Sequence, residues 1–131
     1  MKVAISSTGR DLNSMLDTRF GRCNYFIIYD VEKGFVKAME NRGQISGGGA
    51  GIAAAQQIMD EDIDMVITGS MGPNAFNLLR NSDIKVYQCK NIQVEKAIQM
   101  LKDGGLEELT QVGPAHAGIG MGSGKGFRGG R

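Results

Sequence analysis

The sequence predicts an α/β fold: a three-layer α/β/α sandwich around a mixed five-stranded sheet. Three observations carry this. From about residue 50 onward, short apolar β-branched runs alternate with segments of helical period, the pattern of a sheet covered by helices. A short turn, Glu32-Lys33-Gly34, joins two earlier apolar runs and makes them an antiparallel pair. The 131 residues, 41% of them hydrophobic, suffice for one core and are too few for two, so a single domain is expected.

The elements follow in order. Lys2 to Ser7 reads as a buried strand running into the polar loop Thr8 to Thr18. Tyr25-Phe26-Ile27-Ile28-Tyr29 is a second strand, rich in aromatic and β-branched residues, and Phe35 to Asn41 a third. After Gly47 to Gly51 the period becomes helical, with Ile52, Ala55 and Met59 on one stripe. Met65-Val66-Ile67-Thr68 is the fourth strand. Pro73 then suits the first position of a helix, where a missing N–H costs little, and Ala75, Leu78 and Leu79 form its apolar face. Lys85-Val86-Tyr87 is the last strand, and Val94, Ala97, Ile98 and Leu101 mark an amphipathic helix ended by Gly104-Gly105. Right-handed crossovers then give the strand order 3-2-1-4-5 with strand 2 antiparallel. That order brings the end of strand 1, the glycine loop and the start of the Pro73 helix to one edge, outside the carboxyl ends of the strands, where open α/β sheets bind ligands.

Charge separates a body from a tail. The net charge is +1, yet no acidic residue follows Glu108, while Lys125, Arg128 and Arg131 do. Removing those three leaves 12 basic against 14 acidic residues, a mildly acidic body that makes a nucleic-acid surface unexpected. Residues 1–110 form the expected domain and 111–131 a flexible, glycine-rich basic tail. No segment reaches the roughly 20 apolar residues of a membrane span or the length of a signal-peptide core, so a cytoplasmic protein is expected. Cys23 and Cys89 lack the paired short spacing of zinc or ferredoxin sites. The strand order sets them about 14 Å apart, at ~4.8 Å per strand, which excludes a disulfide.

Arg19-Phe20-Gly21-Arg22-Cys23 is the most chemically loaded loop. Two guanidinium groups beside a glycine turn suit recognition of an anion, each offering fixed donors and permanent charge. The competing reading is surface solubility, with Phe20 plugging the core. Cys23 would offer a soft thiolate, its ionised form favoured by neighbouring Arg22, or stand as an inert buried thiol. Gly47, Gly48 and Gly49, leading into a helix, would present backbone N–H groups to an anion, or act as a hinge. The Gly72-Pro73-Asn74 helix start offers the same donors, or an ordinary cap. His116, the sole histidine, is a candidate metal ligand in the tail, or else solvated. Neither the Gly47 loop nor Gly122-Ser123-Gly124-Lys125-Gly126 has the spacing of a nucleotide site, so no nucleotide is expected. Strand 1 lacks the carboxylates a magnesium nuclease needs, and Ser7 lacks a histidine to activate it, so the chain reads as non-enzymatic.

Arg19-Phe20-Gly21-Arg22, the glycine turn into Ile52-Ala53-Ala54-Ala55, and Gly69-Ser70-Met71-Gly72-Pro73-Asn74-Ala75 occur in an order that resembles the dinitrogenase iron-molybdenum cofactor biosynthesis family. The resemblance covers about residues 1 to 110. It implies a ribonuclease-H-like fold and a carrier of an anionic iron-sulfur or molybdenum-containing cluster or its precursor, held between the Arg19–Cys23 loop, the Gly47 loop and Asn74. A protein partner in cluster delivery is implied with it. Members often carry a histidine just before the paired glycines, where this chain has Ser46, a poor metal ligand. The alternative, from another class, is a regulatory or scaffold domain that docks on a protein without metal.

Overall fold

Six strands and three helices follow one another in the computed structural model, which describes residues 1–45 and 49–110. They are β1 (Lys2–Ser7), β2 (Tyr25–Asp30), β3 (Gly34–Glu40), α1 (Ala50–Met59), β4 (Met65–Thr68), α2 (Pro73–Asn81), β5 (Lys85–Gln88), α3 (Val94–Lys102) and β6 (Glu107–Leu109). Two 3-10 turns, Phe20–Arg22 and Arg42–Ile45, precede β2 and α1.

All six strands share one open sheet in the order β3-β2-β1-β4-β5-β6. β2 runs antiparallel to β1, with Ala4 opposite Ile28, whereas β4 runs parallel to β1, with Ala4 opposite Val66. The expected five-stranded sheet is corrected by β6, which pairs antiparallel with β5 and becomes the second edge. Its three residues, Glu107-Glu108-Leu109, are too short and too acidic to show a strand's alternation.

Alternation along the inner strands sends successive side chains to opposite faces of the sheet. On one face Ala4, Phe26, Ile28, Val66 and Val86 pack against α1 and α2. On the other, Val3, Ile5, Ile27 and Ile67 pack against Val94, Ala97 and Ile98 of α3. Helices therefore cover both faces, and the expected single core is two clusters divided by one sheet. The stripe expected for α1 is also corrected: Ala54, Ala55, Gln57 and Ile58 are buried while Ile52 is exposed. Cys23 and Cys89 lie in opposite clusters, and both thiols are free. Among the described residues no helix is long and apolar enough to cross a membrane. Residues 111–131, with His116, and Ser46, Gly47 and Gly48 lie outside the described residues.

Candidate functional site

A cleft of about 300 Å³ opens at the edge where β1 and β4 end, between the Phe20–Arg22 turn and the N-termini of α1 and α2. Gly21 and Arg22 form one wall, Gly49 to Ile52 a second, and Gly72 to Ala75 the third. These are three separate sequence segments, drawn together by the order of the strands.

Local sequence explains why the helix starts face the cleft undressed. The N-cap of α1 is Gly49, in the left-handed region at φ 74°, and that of α2 is Gly72; neither supplies a side-chain hydrogen bond to its helix. The first-turn amides of a helix have no intrahelical acceptor, and among the described residues no side chain is hydrogen-bonded to those of α1 or α2. Neither first turn carries an acidic residue, although acids usually gather there. Two positive helix ends thus converge with no acidic residue in either first turn, and Arg22 adds a full positive charge. Among the described residues no carboxylate lines the cleft. Its chemistry suits an anion held by backbone N–H groups and a guanidinium, with Ile52, Pro73 and Ala75 offering apolar contact.

Close packing fixes the walls. A Cβ on Gly21 would stand 2.9 Å from both the Cα and the N of Gly51. Arg19 and Ser70 form an isolated parallel bridge, with the Phe20 amide donating to the Ser70 carbonyl at 3.2 Å and the Ser70 amide to Thr18 at 2.6 Å. The loops that leave β1 and β4 are therefore tied together just behind the cleft.

The predicted residues separate into two groups. Gly21, Arg22, Gly49 and Asn74 line the cleft. Arg19 does not line it; its Nε and Nη2 are each 3.1 Å from an oxygen of Asp17, which also accepts the Arg19 amide at 3.0 Å. Burial by itself would push the Asp17 carboxyl up, but the hydrogen bonds and charge of Arg19 outweigh it and hold the group below its ordinary 3.8. Phe20 is buried against Phe26, with ring centroids 5.3 Å apart. Cys23 is wholly buried; its Sγ donates to the Phe20 carbonyl at 3.3 Å. Burial pushes its thiol up to about 12, against the thiolate that a neighbouring arginine would favour, so the neutral form holds at ordinary pH. Among the described residues no cluster of three or more His, Cys, Asp or Glu side chains could hold a metal ion. The Ser7 hydroxyl is taken up by a turn with Gly9, at 2.8 Å from its carbonyl.

Sequence reading missed Asn41. It is 3% exposed, and its Nδ2 donates to the carbonyls of Gly21 at 3.1 Å and Cys23 at 2.9 Å, while its Oδ1 accepts the Gly43 amide at 2.9 Å. An Asn two residues before a glycine is the one local sign of such a turn. Ile52, which its period places on one stripe with Ala55 and Met59, also lines the cleft.

Residues 1–104 match the family described as dinitrogenase iron-molybdenum cofactor. The apo form of the orange protein from Desulfovibrio gigas is similar in structure, with a TM-score of 0.81 and 31% identity over 84% of this chain and 93% of that one. A Thermotoga protein described as a putative NifB protein of the DUF35 family has a TM-score of 0.77 and 38% identity, over 87% of this chain and 97% of its own. An uncharacterized protein of Methanocaldococcus jannaschii is 28% identical over 100 residues, or 74% of this chain and 85% of its own.

Proposed function

The chain belongs to the dinitrogenase iron-molybdenum cofactor family, and from that premise we propose that it is a non-enzymatic carrier of an anionic metal-sulfur cluster or its precursor. The observation that carries the reading is the convergence of two uncapped helix N-termini and Arg22 on one cleft that, among the described residues, has no acidic lining.

The cargo would be held from outside rather than ligated. Amides of Ala50, Gly51, Asn74 and Ala75 would donate to terminal or bridging sulfides, and Arg22 would neutralise charge. Cys23 stays protonated in the core and takes no part; Arg19 supports the loop through Asp17. Binding without covalent ligands suits a carrier, because a cluster held by hydrogen bonds can be passed on without breaking metal-protein bonds. That the similar Desulfovibrio gigas orange protein is known in an apo form supports a removable cargo. A ribonuclease-H-like affiliation belongs to the same reading, supported by an antiparallel β1-β2-β3 meander followed by parallel β4 and β5.

The second reading, a regulatory or scaffold domain docking on a protein without metal, draws on Phe35 and Val36, 49% and 45% exposed on edge strand β3. Purification without oxygen, followed by a visible spectrum and elemental analysis, separates the two. Absorbance bands with stoichiometric metal and sulfide support the carrier. A colourless, metal-free protein that also fails to take up tetrathiomolybdate, a small molybdenum-sulfur dianion, favours the docking domain.

A further inference from the structure

We propose that Asn41 is a positioning residue for the cleft: it fixes the Gly21–Arg22 wall against the first turn of α1 without touching the cargo. The inference rests on the carrier reading for its functional meaning and on hydrogen-bond geometry for its structural content.

Asn41 directly follows β3, and its side chain is spent on two separate loops. The amide Nδ2 bonds the carbonyls of Gly21 and Cys23, on either side of Arg22, and lies 3.7 Å from the Cys23 Sγ. The Oδ1 takes the Gly43 amide in the turn before α1. Both loops press on the same part of α1. A Cβ on Gly43 would come within 2.6 Å of the Ala50 carbonyl oxygen, and one on Gly21 within 2.9 Å of Gly51. Asn41 thus sets the distance between the residue that brings the guanidinium and the helix end that brings the amides. It does not line the cleft.

Only a carboxamide meets all these demands. Two carbonyl oxygens face Nδ2, so an aspartate, identical in shape, would set a third oxygen against them while leaving the Gly43 bond intact. Asn41→Asp therefore loosens one side of the bridge and spares the other.

The test compares Asn41→Asp with Ile98→Ala, which removes buried volume on the opposite face of the sheet. Amide resonances of Gly21 and Arg22, thermal unfolding and tetrathiomolybdate affinity are measured for each; Asn41→Ser substitutes if the aspartate chain does not fold. Asn41→Asp should displace the Gly21 and Arg22 resonances and weaken binding on the order of tenfold. Ile98→Ala, at a comparable loss of melting temperature, should leave affinity within about twofold. Equal losses of affinity in the two variants, or Gly21 and Arg22 resonances that stay in place in Asn41→Asp, overturn the proposal. If the parent protein itself takes up no tetrathiomolybdate, the carrier reading is what fails, and the resonances still decide whether Asn41 holds the wall.

Discussion

Gly21 and Gly51 meet backbone to backbone, so closely that a single methyl group on Gly21 would fall 2.9 Å from the Gly51 Cα and N. The contact joins the wall that carries Arg22 to the helix start that carries the amides, and it fixes the width of the cleft. Gly21→Ala should therefore destabilise the fold by about 1–3 kcal/mol, the scale of overpacking, and weaken anion binding as the turn is pushed away from α1. Urea unfolding with a parallel titration checks this. A variant as stable and as tight as the parent would mean that the turn yields at no cost.

Arg22 is exposed and, among the described residues, makes no side-chain hydrogen bond or ion pair, so its role can be separated from stability. Arg22→Ala should cost roughly 1.5–3 kcal/mol of affinity for an anionic cluster, the scale of a charged hydrogen bond, with the unfolding midpoint nearly unchanged. Arg22→Lys should recover only part, because an ammonium lacks the planar fork. Calorimetric titration of the three proteins reads both effects. Equal affinities would show the arginine to be a bystander.

Asp17 links the same loop to acid stability. Its folded carboxyl is held below the ordinary value, so the stabilisation is complete above the unfolded value near 4 and disappears as pH falls through the folded one. Asp17→Asn should lower the urea midpoint at pH 7, and the gap from the parent should close on acidification below about pH 4. A gap independent of pH would assign the effect to shape rather than to the Arg19 ion pair.

Cys23 makes the opposite prediction at high pH. The folded thiol keeps its proton to about 12, chiefly through burial, whereas an unfolded thiol releases it near its ordinary 9.0. Stability is therefore full below pH 9 and falls as pH rises through the interval up to the folded value. Cys23→Ala should flatten that alkaline decline, and the native Cys23 should resist iodoacetamide at pH 8 until the protein unfolds. Rapid native alkylation would contradict the burial described here.

How much was legible in the sequence depended on range. β1, β2 and β4 were plain because apolar runs bounded by turns need no tertiary knowledge, and the edge uniting Gly21, Arg22, Gly49 and Asn74 followed from the strand order those runs imply. β6 was not legible, since Glu107 and Glu108 look like solvent-exposed coil until β5 supplies a partner. The stripe on α1 was misjudged because its first turn packs on two glycine-bearing turns, where alanines fit and Ile52 does not. Arg19 and Arg22 look alike in the sequence. Asp17, two residues upstream, engages only the first of them, and that is a matter of backbone geometry.

In the proposed carrier, the cleft between Arg22 and the starts of α1 and α2 binds an anionic metal-sulfur species. The most direct measurement is a titration of isotope-labelled protein with tetrathiomolybdate under anaerobic conditions, following backbone amide resonances. On this proposal, saturable shifts are expected at Gly21, Arg22, Ala50, Gly51, Asn74 and Ala75, with α3 and β6 unmoved. Saturable shifts centred elsewhere, or none at these six amides at saturating probe, would contradict it.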